Sequence, residues 1–144
     1  MQALSTNKLI LGTGTLSFTG NQLSINTTSL TDFSKSTIFY NSAGITQGIS
    51  YGFPIWRANQ ACQVTGIHVL MMSGTVPTGF INVRKNFTSN LLITNLRVNT
   101  TGAWISSGII QNQNFVAGDT LEPRIISSSG TPLSISIQTD FITN

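Results

Sequence analysis

An all-β, antiparallel sandwich or jelly roll is the fold this sequence predicts, and three observations predict it. Hydrophobic residues recur with a period of two along several stretches, most clearly from Ile67 to Met72 and from Leu133 to Phe141. These stretches are short and are separated at regular intervals by Gly, Pro, Asn and Ser. No stretch carries a convincing amphipathic helical pattern, so strands must supply the core.

Taken in order, Lys8 to Leu11 is a short apolar run closed by Gly12-Thr13-Gly14. Thr15 to Thr19 and Gln22 to Asn26 alternate on either side of Gly20-Asn21, which reads as a hairpin with a tight turn. An isolated hairpin is marginal in water, and this one has only Leu16, Phe18, Leu23 and Ile25 to bury. Residues 1–34 are therefore expected to form an N-terminal arm or accessory hairpin that leans on the main body or on another subunit, with 35–144 as the sandwich domain. Leu30 to Lys35 reads as a short helical turn that Thr31 or Asp32 could cap. Thr37 to Tyr40 is β-branched and aromatic, and Ile49 to Arg57 is a strand candidate that Pro54 confines to an edge or a bulge.

The stretch from Ala61 to Asn86 is the centre of the chain. Ile67, Val69 and Met71 face one way while His68, Leu70 and Met72 face the other. After the break at Ser73, Gly74, Pro77 and Gly79, Ile81 and Val83 stand opposite Asn82 and Arg84. Asn90 to Asn99 puts Leu91 and Ile93 on one face and shifts phase before Leu96 and Val98, which predicts a bulge or bend. Trp104, Ile105, Ile109 and Ile110 surround Ser106-Ser107-Gly108. Phe115 to Asp119 is a turn entering a strand from Thr120 to Ile126, and residues 127–132 form a loop. In the last strand Leu133, Ile135 and Ile137 point inward, and Ser134, Ser136 and Gln138 outward.

Composition narrows the function. A chain of 144 residues fits one domain that needs neither metal nor disulfide to fold, and Cys62 reads as a small buried hydrophobe. Charged residues make up 8%, far below the roughly 25% of an ordinary soluble domain, and Ser, Thr, Asn, Gln and Gly take their place. Such a surface carries few ions to desolvate when neighbours pack on it, which favours permanent assembly. The net charge of +3 is spread over scattered Lys and Arg, with only Arg84-Lys85 adjacent, so nucleic-acid binding is not expected. The N-terminus lacks a signal-peptide pattern and no 18 apolar residues run together, so no membrane span is expected.

No catalytic or metal constellation is visible. A nucleophilic relay would need a serine and an acid brought to His68 by the fold, and nothing nearby in sequence does so; His68 reads as a packed or hydrogen-bonded strand residue. Asp119 and Glu122 are close in sequence, but glycosidase chemistry needs two carboxyls flanking one bond, and Asp119 reads as a turn residue bonding local backbone. The acids are too sparse for a calcium loop, and the Asn-x-Thr triplets at Asn26, Asn86 and Asn99 arise by chance in so Asn- and Thr-rich a chain. Tyr40, Tyr51, Trp56 and Trp104 fill the core or a subunit interface, or, if exposed, stack on sugars.

Four segments, Cys62 to Val69, Val76 to Asn86, Val116 to Leu121 and Leu133 to Ile137, carry in that order a strand, a Pro-x-Gly turn, a strand ending in Lys-Asn, and Ala-Gly-Asp before a strand. This order resembles a β-sandwich module of virion structural proteins of tailed bacteriophages, over roughly residues 55–142. Glu122-Pro123 departs from the regular alternation expected there, which puts the pairing of that strand in question. The resemblance implies a non-enzymatic protein without cofactor, most like a capsid decoration or cement protein. It would be made in the host cytoplasm and carried on the capsid surface as a homo-oligomer, a trimer, bound to the major capsid protein. Leu16, Phe18, Leu23 and Ile25 would be the arm's anchors, and Trp56 and Trp104 interface or glycan-stacking residues. The alternative is a tail-fibre or baseplate module that recognises host surface glycan.

Overall fold

The computed structural model describes residues 9–11, 14–19, 22–26, 32–45, 51–74, 78–130 and 132–143, with backbone alone for the first three stretches and residue 51. The chain forms two compact units, Met1–Thr31 with Asn144, and Asp32–Thr143. No described residue is helical.

In the first unit β1 (Leu9–Leu11), β2 (Gly14–Thr19) and β3 (Gln22–Asn26) make a three-stranded antiparallel sheet in that order. Register pairs Leu16 with Ile25 and Phe18 with Leu23, which places these four positions on one face of the ladder. Their side chains lie outside what the structure describes.

The second unit is a two-sheet sandwich. One sheet is built on β4 (Asp32–Tyr40), β7 (Cys62–Gly74), β11 (Trp104–Ser106), β12 (Asn114–Phe115) and β14 (Pro132–Thr143), ordered β11-β7-β14-β4 with β12 also on β7. The other holds β5 (Tyr51–Gly52), β6 (Trp56–Arg57), β8 (Thr78–Lys85), β9 (Ser89–Asn90), β10 (Leu96–Val98) and β13 (Thr120–Ser129), ordered β10-β8-β13-β5 with β6 on β13 and β9 on β8. Between them lies one core, with Ile67, Val69, Met71, Ile135, Ile137 and Phe141 from the first sheet and Ile81, Val83, Leu121 and Ile125 from the second. Cys62 is fully buried in it, and burial first, then the Asp119 carboxylate, pushes its thiol up from the ordinary value.

Several elements differ from their expected form. Residues 32–35, expected in a helical turn, are the start of β4, paired with β14 from Asp32↔Ile142 onward; cross-strand pairing outweighs a single turn with few bonds. β4 thus begins inside the segment expected to be arm. Leu133 is not inward: it is the extra residue of an irregularity between Pro132 and Ile135, and Pro132 takes the buried place instead. Ile93 is exposed because the expected strand from Asn90 breaks into bends after β9, burying the consecutive Leu91 and Leu92. Asn82, expected to face solvent opposite Ile81, is buried beneath that bent segment. Its amide is saturated there, donating to the Leu92 carbonyl and Asn95 Oδ1 and accepting from the Leu92 and Val83 amides.

Pro123 sits inside β13, opposite Val83. The Val83 amide bonds Asn82 Oδ1 and its carbonyl accepts from Leu91, so neither is turned to β13. The proline nitrogen therefore faces the other flank, where β6 stops at Leu121 and β5 resumes at Arg124. Pro54 and Pro123 both fall in this gap in the ladder, where a missing N–H leaves no sheet bond unmade.

Candidate functional site

The outward face of the β11-β7-β14-β4 sheet is where the chain's unusual residues gather. Alternation turns Ser34, Ser36, Ile38 and Tyr40 of β4 outward, and likewise Ser134, Ser136, Gln138 and Asp140 of β14, His68 and Leu70 of β7, and Trp104 and Ser106 of β11. Register lines them up in rows. One reads Ile38, Ser136, Leu70, Trp104; the next reads Ser36, Gln138, His68, Ser106.

Gln138, His68 and Ser106 of the second row belong to a hydrogen-bonded network. His68 Nε2 lies 2.9 Å from Asp140 Oδ2, and Nδ1 lies 2.9 Å from Ser106 Oγ. With Nε2–H donating to the carboxylate, Nδ1 accepts from the serine hydroxyl. Asp140 Oδ1 also accepts from Ser34 Oγ at 2.6 Å and Gln138 Nε2 at 2.8 Å. Partial burial alone would raise the Asp140 carboxyl, but the Ser34 and Gln138 hydrogen bonds and then His68 outweigh it and hold it below the usual carboxylate value. Gly66 makes room for the pair, since a Cβ there would stand 2.7 Å from His68 Nε2 and 3.5 Å from Asp140 Oδ2.

Ser106, His68 and Asp140 have the connectivity of a hydrolytic relay, which sequence spacing did not anticipate. Acyl transfer also needs donors aimed at a developing oxyanion and a concavity for the substrate. Here the serine stands on an open strand face. A cleft of about 280 Å³ is lined by Asp140 and Ser34 of the network with Asp32, Phe33, Thr65 and Phe141, and one of about 290 Å³ by Leu92, Leu96 and Ser107–Ile109 among others; neither takes in Ser106 or His68. The arrangement is suited to tying β11, β7, β14 and β4 together.

The other half of the face is apolar and open. Tyr40 is 71% exposed, Ile38 65%, Met72 58% and Trp104 51%. Met72 falls where the β7–β14 register shifts, between Met71 and Ser73. Trp56, paired with Trp104 in expectation, is different: it is half-buried among Phe33, Phe115 and Phe141, with ring centroids 4.9 to 6.2 Å away and Lys35 Nζ 5.6 Å over it. It closes one end of the core.

A further polar corner joins two of the segments on which the sequence resemblance stands. Lys85 Nζ reaches Asp119 Oδ2 at 2.8 Å and the Asn114 carbonyl at 2.7 Å; Asn86 Nδ2 donates to Asp119 Oδ1 at 2.6 Å, and the Val116 amide to Oδ2 at 2.9 Å. Gly118, at φ 101, supplies the left-handed turn that brings the carboxylate back to Val116. Burial works against ionisation of Asp119, yet the bonds from Lys85, Val116 and Asn86 prevail and its carboxyl lies below the usual value. Glu122 instead takes a two-point bond from Arg84, at 2.8 and 3.0 Å. Arg84 and Lys85 alternate on β8, so the two carboxylates serve opposite faces and cannot flank one glycosidic bond. Among the described residues no His, Cys, Asp and Glu group could hold a metal ion, and no helix is long and apolar enough to cross a membrane.

No protein-family model and no curated protein matches the chain. Among solved structures it is similar to a chain in the structure of infectious bursal disease virus Gt strain, at 14% identity and a TM-score of 0.31, over 95% of this chain and 42% of that one. This chain thus spans less than half the length of that one.

Proposed function

We propose that this is a non-enzymatic structural protein of a virion, a capsid decoration or cement protein that binds the major capsid protein and works as a homo-oligomer, a trimer. The observation that carries the reading is the open apolar half of the β11-β7-β14-β4 face, bearing Ile38, Tyr40, Met72 and Trp104 on a chain with 8% charged residues. Large apolar side chains gathered on one sheet face mark a surface that is covered in use. The sequence resemblance supplies the virion. Leu16, Phe18, Leu23 and Ile25 of the first unit would lie against the shell, adding strand pairing or apolar contact. Counting copies per particle by quantitative mass spectrometry tests the role: hundreds are expected of a shell protein, whereas a handful would place it in the tail. Deleting residues 1–30 is expected to abolish capsid binding while the second unit still folds, since its core is drawn from residues 33–141. Normal binding by the truncated chain would remove the arm from the proposal.

One observation favours a second reading, a tail-fibre or baseplate module for host glycan. Trp104 is half exposed and shares its strand face with Ser106, next to His68, so an aromatic plane adjoins hydrogen-bonding groups. Polysaccharide binding that is lost on Trp104→Ala would support it.

A further inference from the structure

We propose that the apolar half of the outward β11-β7-β14-β4 face, bearing Ile38, Tyr40, Leu70, Met72 and Trp104, is covered by another copy of this same chain. This rests on the oligomeric reading above and deepens it by naming the surface and its occupant.

Three features point to self-association. First, this half carries no charge. Its side chains are aliphatic, aromatic or hydroxyl, and the acid and the histidine are confined to the neighbouring rows, where they bond each other. Where copies of one face gather around a two-fold or three-fold axis, a charge near that axis would meet its like; an uncharged patch carries no such penalty. A face meant for a differently charged partner would be expected to carry the complementary sign.

Second, the relief is self-complementary. Ile38 and Tyr40 form a ridge on β4, and Leu70, Met72 and Trp104 form a second on β7 and β11. The strand between them, β14, presents only Ser134 and Ser136 at these levels. Ser136 pairs with both Ile38 and Leu70, so it is the floor of a trough with a ridge on each side. The β4 ridge of one copy fits the serine trough of another, as inner faces interdigitate in stacked sheets.

Third, the area is of the right order. From the fractional exposures, and about 150–250 Å² for a whole aromatic side chain, the four open residues present on the order of 500 Å². Leu70 and the serines add to this, which approaches the roughly 800 Å² per partner of a stable interface.

The test is sedimentation equilibrium on the full chain, from about 1 to 100 μM, for the wild type and for Ile38→Asp, Met72→Lys and Ile109→Lys. Ile109 is 79% exposed, in the segment after β11, and serves as the control. All three positions are open, and a far-ultraviolet circular dichroism spectrum checks that each variant keeps its sheet. The expected result is a self-associating wild type whose dissociation constant rises about tenfold or more in each face variant and stays unchanged in Ile109→Lys. If all three variants associate like the wild type, the face assignment is overturned while the oligomeric reading stands. If the wild type is monomeric throughout, or if a neutral polysaccharide binds the monomer and protects Trp104 from quenching, the copy-on-copy assignment is overturned. The virion role is then still decided separately by copy number per particle.

Discussion

The outward face of the β11-β7-β14-β4 sheet has two halves built on the same four strands, and they resolve their chemistry in opposite ways. In the polar half side chains bond one another, Ser106 with His68, His68 with Asp140 and Asp140 with Ser34 across neighbouring strands, and Asp140 with Gln138 along its own. In the apolar half, Ile38, Tyr40, Met72 and Trp104 stay open. The polar half therefore serves the single chain, whereas the apolar half gains nothing until another surface removes it from water. Under the assembly proposal the apolar row is the working surface and the hydrogen-bonded row braces the sheet beneath it.

The largest expected effect lies beneath the polar half and sets the scale. Phe141→Ala removes a ring stacked on Phe33 at 5.0 Å and packed against Trp56 and Phe115, and is expected to cost about 3–5 kcal/mol in urea unfolding. Next, Asp140→Ala breaks the bonds to His68, Ser34 and Gln138 and is expected to cost about 1–3 kcal/mol; Gly66→Ala, which pushes a methyl into His68, should cost about as much. No loss in either would mean that the polar half does not brace the sheet, and the contrast would fail. Smallest of all, Ile38→Asp and Met72→Lys should change single-chain stability by no more than about 0.5 kcal/mol below the concentration of self-association. A loss near that of Phe141→Ala would place these residues in the fold of one chain.

Acid sharpens the comparison further. Asp140 and Asp119 both have folded values below the ordinary one, near 3.9 for an unfolded Asp. The stability they contribute is complete above that value and is lost as pH falls through it toward their folded values. Urea midpoints measured from pH 6 down to 3 should therefore fall, and fall less steeply in Asp140→Asn and Asp119→Asn. The same slope in both variants as in the wild type would contradict the assignment.

Much of this architecture is legible in the chain. Alternation places Ile67, Val69, Met71, Ile135 and Ile137 in the core, where they are. Pro54 marks the break between β5 and β6, and the phase shift before Leu96 marks a bend. Alternation fails where the ladder gains a residue or where another segment lies over a strand. Leu133 loses its place to a register shift, and Asn82 keeps the outward phase but is roofed by residues 91–95, whose backbone its amide satisfies. The network around His68 leaves no local trace because Ser106 and Asp140 stand 38 and 72 positions away and meet it only through strand pairing. Nor does alternation tell a covered face from an open one when both phases are apolar, as at Leu70 beside Met71. The difference between Trp56 and Trp104 is likewise tertiary: one meets Phe33 and Phe141, the other lies on an outermost strand of the sheet.

Two adjacent methionines offer the most direct test. Met71 is fully buried and Met72 is open, so peroxide should convert Met72 to the sulfoxide and spare Met71 in an isolated chain. Read by mass spectrometry over a dilution series, Met72 is expected to be protected at high protein concentration and to become reactive on dilution, with Met71 unreactive throughout. Equal reactivity of Met72 at every concentration would contradict a copy of the chain seated on this face.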